Sequence, residues 1–131
     1  MTVDDTRKIM EAYAANHDPK YVASDAVFID TASGTRHEGR EAIGAMLNYV
    51  YHVAFDARAE GTRLIVGEGA ATLEATFVGK HIGEFAGIPA TGRDVRVPLC
   101  VTYDISPDGI TEARIYMQAA VMMQQLGAVP A

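Results

Sequence analysis

The chain has little cysteine, no run of basic residues and no long apolar run. Its one cysteine, Cys100, cannot form an internal disulfide, and between Leu99 and Val101 it is typical of a small buried hydrophobic residue rather than a nucleophile. The formal charge of −6 and the pI of about 5.1 disfavour nucleic acid and anionic membranes as partners. No apolar stretch approaches the roughly 20 residues that span a bilayer.

Length and composition fit one globular domain. With 131 residues, of which 49% are hydrophobic, the chain is predicted to form a single domain over residues 1–131. Its N-terminus, Met1–Thr6, lacks the basic and apolar regions of a signal peptide, so we expect a cytoplasmic protein. The four histidines lack the close spacing of a zinc site, and no metal is expected. They are His17, His37, His52 and His81.

Helical patterns occur in the first half of the chain and at its end. Near the N-terminus Ile9, Met10 and Tyr13 recur at helical spacing, and Asp4 and Asp5 stand where a helix favours negative charge. Proline is tolerated in a first helical turn, which allows a short second helix to start at the Asp-Pro pair. The predicted helices are Asp4–Asn16, Asp18–Ala23, Arg40–Val53 and a short turn at Gln118–Leu126.

β-Branched and aromatic residues dominate the second half, with hairpin turns predicted about Gly67–Gly69 and Pro107–Gly109. Residues 32–39 are predicted to form a polar loop. Helices followed by long strands favour an α+β fold in which an antiparallel sheet bends into a cone around one pocket. The predicted strands are Ala26–Asp30, Phe55–Glu68, Ala70–Val78, Val95–Ile105 and Ile110–Met117.

Two segments carry a resemblance to a known family. Gly79–Gly92, with the sequence GKHIGEFAGIPATG, resembles the glycine-rich stretch of SnoaL-like polyketide cyclases. Ile110–Gly127, which includes Glu112 and ends in Gln-Leu-Gly, is similar to the final strand and helix of that family. With matching element order and length, the resemblance covers nearly the whole chain and implies the cone-shaped fold of the nuclear transport factor 2-like superfamily.

The resemblance also implies an acid/base pair. The histidine of the family corresponds to His81, while Gln118 occupies the position of the family's usual aspartate. A glutamine can hydrogen-bond a carbonyl or enol oxygen but cannot accept a proton, so the usual base of the family is missing. Chemistry at this site would therefore depend on His81 with Gln118 as a hydrogen-bonding partner, or on another base.

Asp30 is a second candidate base. The stretch Asp25–Thr31, continued through Gly39 and Ile43, resembles ketosteroid isomerase of the same superfamily and places Asp30 at its proton-shuttling aspartate. An aspartate at the end of a strand before a Thr-Ala-Ser-Gly turn also commonly bonds its own backbone. Both roles are left open for Asp30.

Alternation along a strand places His81 at the end of an apolar stripe. An imidazole beside an apolar cavity has a lowered pKa unless an acid pairs with it, and would be a neutral base at pH 7. The alternative is a histidine that only bonds a loop carbonyl. The other members of the stripe are Leu73, Ala75, Phe77 and Gly79.

The last strand has a polar and an apolar face. Because the family's acid corresponds to Gln118, we expect the polar face to line the pocket. Arg114 would then pair with an acidic residue, for which Glu74 and Asp104 are candidates, or with an anionic group of the ligand. The polar face comprises Glu112, Arg114, Tyr116 and Gln118. The apolar face is then expected to form a homodimer interface on the outside of the sheet, and it comprises Ala113, Ile115 and Met117.

The leading hypothesis is a cofactor-independent enzyme that moves protons on an apolar, carbonyl-bearing small molecule of polyketide or steroid type. His81 or Asp30 would move the proton, while Gln118 and Tyr116 would hold the oxygen. The alternatives are a non-catalytic binding module and a water-activating hydrolase or hydroxylase of the same superfamily. Further candidates for substrate contact are Arg114, Phe77, Tyr51 and Tyr103.

Overall fold

The computed structural model describes residues 1–128. Its helices are α1 (Val3–Asn16), a short 3₁₀ turn (Pro19–Tyr21), α2 (Arg40–Asn48), a π-helical turn (Tyr49–Ala54) and α3 (Ala119–Gln125). Its strands are β1 (Val22–Asp30), β2 (Thr35–Glu38), β3 (Phe55–Val66), β4 (Ala70–His81), β5 (Asp94–Ser106) and β6 (Gly109–Met117).

Helix α1 is delimited by side-chain and backbone caps. Thr2 and Asp5 form a reciprocal capping box, in which the Asp5 amide donates to the Thr2 hydroxyl at 3.1 Å and the Thr2 amide donates to the Asp5 carboxylate at 3.2 Å. The helix ends at His17, which has left-handed backbone angles (φ 54°, ψ 36°) and donates its amide to the Tyr13 carbonyl at 2.7 Å. The start and end of α1 agree with the sequence prediction within about one residue, the usual tolerance of helix boundaries.

The six strands form one curved, unclosed sheet in the order β2-β1-β6-β5-β4-β3. The α+β architecture and the curved sheet confirm the prediction, but the sheet is mixed rather than antiparallel. Strand β1 runs parallel to β6, with Phe28 opposite Ala113. A long connection through α2 and four intervening strands permits this, since parallel strands cannot be joined by a tight hairpin.

Three element boundaries differ from prediction. The short helix stops at Tyr21, since Val22 already pairs with Ile110 of β6. Part of the predicted polar loop is strand β2, which pairs with β1 through Phe28 and His37. The third predicted helix keeps its α form only to Asn48 and then widens into a π-helical turn, a feature often found beside functional sites.

The concave face of the sheet is apolar and packs against the helices. Phe77 and His81 of β4 are fully buried on this face, which confirms the apolar stripe. On β6 the inward residues are Ala113, which is buried, and Ile115 and Met117, which pack against the core. The prediction that these three form an outer dimer surface is therefore wrong, because the apolar side of an amphipathic strand is the side that loses water on folding.

Gly79, near the Phe55–His81 end of the β3–β4 ladder, permits the two strands to lie close together. A Cβ on Gly79 would lie 2.6 Å from the Asp56 carbonyl oxygen and would also overlap Ala57. We expect Gly79→Ala to lower the free energy of unfolding by about 2 kcal/mol, within the range for overpacking. Urea denaturation checks this, with Gly61→Ala as the matched control, since its new Cβ would meet only Leu73 Cδ1 at 3.5 Å. Equal losses in both variants would contradict the steric explanation.

Candidate active site

A cavity of about 540 Å³ lies between the concave face of the sheet and the helices. This volume suits a small organic ligand. Aromatic, aliphatic and methionine side chains make up most of its wall, so an apolar molecule would gain by entering it. Among these apolar residues are Phe28, Phe55, Phe77, Leu99, Met117 and Met122.

Four tyrosines line this apolar wall, and one of them, Tyr49, donates its hydroxyl to the Glu84 carbonyl. Tyr13 of α1 and Tyr103 of β5 are 2% and 4% exposed, with ring centroids 6.0 Å apart, and Tyr51 of the π-helical turn also lines the cavity. None of these last three hydroxyls has a hydrogen-bond partner within residues 1–128. The cavity therefore offers donors for the oxygen of a ligand. The predicted contacts Phe77, Tyr51 and Tyr103 all lie in its wall.

Burial keeps these hydroxyls protonated. It raises the pKa of Tyr51 to about 12, and it raises the pKa values of Tyr13 and Tyr103 well above the ordinary tyrosine value. The pKa of Tyr13 is also raised by Tyr103 and Tyr51, and the pKa of Tyr103 by Tyr51, because one phenolate disfavours another nearby. All three remain hydrogen-bond donors at neutral pH.

His17 is the next polar group in the wall. Its half-buried ring lies 4.8 Å from the Tyr51 ring and 5.2 Å from the Tyr13 ring, measured between centroids. Burial lowers the pKa of His17 below its ordinary value of 6.5, and the positive charge that His52 can carry lowers it further. At neutral pH the imidazole is therefore uncharged and able to accept a proton.

Asp30, at the end of β1, is a carboxylate in the cavity wall. One carboxylate oxygen accepts from the Ala32 amide at 3.1 Å and the other from the Ser33 hydroxyl at 2.9 Å. Thus Asp30 performs the turn-capping role that the sequence left open and also reaches the cavity. Each oxygen retains a further lone pair, so capping does not prevent it from exchanging a proton.

His81 is not among the residues that line the cavity, and its ring is fully buried. It packs against Phe55 at a centroid distance of 5.1 Å, so Phe55, which does line the cavity, stands beside it. The Thr91 amide donates to Nδ1 of His81 at 3.2 Å, and the Thr91 hydroxyl lies 2.9 Å from the same nitrogen. An amide is always a donor, so Nδ1 is the acceptor and the neutral ring carries its proton on Nε2.

Nε2 of His81 has no hydrogen-bond partner within the described residues. A base must offer a free lone pair, whereas here the lone pair of Nδ1 is engaged and Nε2 carries hydrogen. The structure thus favours His81 as the anchor of the loop that holds Thr91, rather than as a base in contact with a ligand. The sequence prediction of a stripe was correct, but position on the stripe did not bring the ring to the cavity.

The polar face of β6 points away from the cavity, contrary to prediction. Tyr116 is 48% exposed, Gln118 is also exposed, and neither residue nor Arg114 lines the cavity. Strand β6 ends at Met117, and Gln118 instead precedes α3 as its N-terminal residue. The structure therefore does not bring Gln118, Tyr116 and Arg114 into the cavity wall, because burying this charged face would cost more than burying its apolar opposite.

Arg114 has its partners on the outer surface. Its guanidinium donates to both oxygens of Asp104, at 3.1 and 3.3 Å, to Thr102 at 2.9 Å and to Glu112. The hydrogen bond to Asp104 is the largest cause of the raised pKa of Arg114. Of the two predicted partners, Asp104 is therefore confirmed. This cluster is part of the convex surface of the sheet.

The glycine-rich loop between β4 and β5 covers one side of the cavity. Phe85 and Ala86 line it, and Phe85 packs edge-on against Phe55 at 5.1 Å between centroids. The Tyr49 hydroxyl donates to the Glu84 carbonyl and ties the loop to the π-helical turn. Within residues 1–128 no three His, Cys, Asp or Glu side chains are grouped to hold a metal ion, and no helix has the length and apolar character to cross a bilayer.

The sequence reasoning missed His17 and the hydroxyl of Tyr13. The helical pattern predicts Tyr13 only as part of an apolar stripe, and the histidine spacing shows His17 only as one of four separated histidines. A usable signal was present, because residues four apart lie on the same face of a helix, and Tyr13 and His17 are so spaced at the end of α1.

Comparison with known proteins agrees with this architecture. The model of the SnoaL-like polyketide cyclase family matches residues 5–126, and no curated protein sequence matches the chain significantly. A candidate SnoaL-like polyketide cyclase from Jannaschia sp. CCS1 is 16% identical with a TM-score of 0.85, covering 98% of this chain and 96% of its own. AclR, a candidate hydroxylase from Streptomyces galilaeus, is 19% identical with a TM-score of 0.80, covering 99% and 89%.

A third solved structure, from Catenulispora acidiphila, has a ketosteroid isomerase-like fold. It is 22% identical with a TM-score of 0.74, covering 95% of both chains. Because the sequence identities are below 25%, these similarities establish the fold alone. They confirm the predicted nuclear transport factor 2-like architecture.

Proposed function

Because the chain belongs to the SnoaL-like polyketide cyclase family, we propose that it is a cofactor-independent enzyme that moves protons on an apolar, carbonyl-bearing small molecule. The observation that carries this proposal is the set of tyrosine hydroxyls, those of Tyr13, Tyr51 and Tyr103, that have no partner among residues 1–128 and lie in the wall of a mostly apolar cavity. A site for an apolar ligand without reactive oxygen would not need them.

The hydroxyls stabilise the charge that develops when a ketone loses a proton. Removal of a proton from the carbon beside the carbonyl moves negative charge onto the oxygen, and fixed donors in a poorly hydrated site favour that state. Tyr13, Tyr51 and Tyr103 are such donors, and their raised pKa values mean that they donate hydrogen bonds without giving up their protons. The binding energy is thus directed at the enolate rather than at the ketone.

Asp30 moves a second proton at the cavity wall. Condensation of two carbonyl groups to a cyclic enone needs a second proton removal after the carbon–carbon bond has formed. A carboxylate within reach of the ligand can accept this proton from the carbon beside the carbonyl and pass it to the hydroxyl group, which leaves as water. The neighbouring turn holds Asp30 in place through the Ala32 amide and the Ser33 hydroxyl. In this proposal His81 positions the loop that contains Thr91 and takes no part in proton transfer, whereas Asp30 does.

Hydrogen–deuterium exchange of β-tetralone tests the proposal without knowledge of the natural substrate. This bicyclic ketone has acidic hydrogens beside its carbonyl, and proton NMR in heavy water follows their loss. We expect the protein to accelerate exchange well above buffer and β-naphthol, an aromatic alcohol resembling the enol, to inhibit it competitively. An exchange rate equal to that in buffer, with β-naphthol bound, would overturn the enzymatic proposal.

Binding of β-naphthol without accelerated exchange would instead support a non-catalytic binding module. The observation favouring this second candidate is that both oxygens of Asp30 accept hydrogen bonds from its own turn while His81 is shut away from the cavity. A binding module would hold β-naphthol with its oxygen among the tyrosines and exchange nothing. Calorimetric titration with β-naphthol and the exchange assay together separate the two candidates.

The predicted homodimer and cytoplasmic location stay as proposals. The apolar residues first assigned to the dimer face line the interior, so a dimer would use the convex surface that carries Arg114 and Tyr116. Sedimentation equilibrium measures the association directly. A single species at the monomer mass of 14.0 kDa at high protein concentration would contradict it.

A further inference from the structure

The imidazole of His17 lines the cavity beside the tyrosines, and the proton step assigned to Asp30 does not use it. We propose that His17 removes the proton from the carbon next to the substrate carbonyl, while Asp30 serves the later proton step. This inference rests on the proposed function and adds the proton acceptor for its first step.

The backbone fixes where the His17 ring begins. The residue ends α1 in the left-handed region, at φ 54°, with its amide bonded to the Tyr13 carbonyl at 2.7 Å. Few residues other than glycine adopt this region readily, and histidine is among those that are enriched there. The ring is thus held on the same side of the helix end as the Tyr13 ring.

The contacts of the ring place it next to the oxygen site. It lies between Tyr13 and Tyr51, at centroid distances of 5.2 and 4.8 Å, and the plane of Tyr51 is tilted by only 34° from it. Neither ring nitrogen of His17 has a hydrogen-bond partner in the part of the chain that the structure describes. A carbonyl oxygen bound by the two hydroxyls brings its neighbouring carbon towards an imidazole with an unoccupied lone pair.

The surroundings of His17 favour its neutral form. No carboxylate contributes to its pKa, whereas burial and His52 both lower it. The ionisable groups that face it are Tyr13 from α1 and Tyr51 and His52 from the π-helical turn, with Asp30, His37 and Tyr103 elsewhere in the cavity wall. The imidazole thus has its free lone pair across the neutral pH range.

The proposed step is balanced in atoms and charge. The bond between hydrogen and the carbon beside the carbonyl breaks, and a bond between that hydrogen and His17 nitrogen forms. The electron pair of the broken bond makes the carbon–carbon double bond of the enolate, and the negative charge goes to the oxygen that the tyrosines hold. The imidazolium then returns its proton to carbon or to water, which restores neutral His17.

The test compares His17→Asn with His52→Gln in the β-tetralone exchange assay. Asparagine tolerates left-handed backbone angles but is not a base, so His17→Asn should fold normally and slow exchange at least about tenfold. In wild type the rate should rise with pH through a midpoint below 6.5, because only unprotonated imidazole accepts the proton. His52→Gln should keep the plateau rate and move that midpoint upward, since it removes a positive neighbour.

Three results would overturn the inference. Exchange by His17→Asn within twofold of wild type, with bound β-naphthol and an unchanged pH midpoint, removes the role of His17 and leaves the proposed function intact. A wild-type midpoint unmoved by His52→Gln contradicts the assignment of the titrating group to His17. A wild-type protein that exchanges nothing overturns the proposed function and this inference with it.

Discussion

Replacing Tyr103 with phenylalanine is expected to slow β-tetralone exchange by a factor of about 100, the usual cost of one lost donor to a developing oxyanion. Tyr103 is 4% exposed, lines the cavity and has a pKa raised by burial, so at neutral pH its hydroxyl is a donor. Phenylalanine retains the ring and its packing against Tyr13. The loss should therefore appear in the rate at saturating ketone, with little change in thermal stability.

Tyr116→Phe is the matched control for this experiment. Tyr116 lies on the neighbouring strand β6, opposite Cys100, and its ring is 48% exposed on the convex face. Its hydroxyl is remote from the cavity wall, so the exchange rate should stay within twofold of wild type. If the two variants lost activity equally, the oxygen of the substrate would not be bound by Tyr103.

Replacing Asp30 with asparagine is expected to reduce ring closure of heptane-2,6-dione to its cyclic enone by roughly 100-fold to 10,000-fold, the range for a lost proton-transfer group. Asparagine has the same shape and keeps one oxygen that can accept from the Ala32 amide. The turn and the strand end should thus remain folded. Gas chromatography of the enone gives the rate.

Asp25→Asn supplies the comparison, because Asp25 lies on the same strand but is exposed and does not line the cavity. Its rate of ring closure should equal that of wild type. The Asp30→Asn variant should still exchange β-tetralone, since that reaction needs only the first proton step. If Asp30→Asn closed the ring at the wild-type rate, Asp30 would have no part in proton transfer and would only cap its turn.

The fold follows from local patterns and from family-like segments. Alternation along β4 indicated that Phe77 and His81 share a buried face, and both are fully buried. The glycine-rich segment after it indicated a loop at the cavity, and Phe85 of that loop does line it. These features depend on residues close together in sequence, where periodicity is informative.

The site was less predictable because it depends on which face of a strand is concave. Alternation on β6 separates Arg114 and Tyr116 from Ile115 and Met117, but it does not say which pair faces inward. In the structure Ile115 and Met117 face inward, and Arg114 pairs with Asp104 on the convex surface. Similarly, the contact of His17 with Tyr51 joins two elements far apart in sequence, and periodicity carries no information on such contacts.

The parallel pairing of β1 with β6 has a consequence for how the protein folds. Strands β3, β4, β5 and β6 pair with their neighbours in sequence, whereas the Thr31 hydroxyl donates to the Ile115 carbonyl across 84 positions of the chain. Closing so long a loop costs more conformational entropy than closing a hairpin. We therefore expect the hairpins to form early and the β1–β6 contact last, so that the wall carrying Asp30 is completed only in the final step of folding.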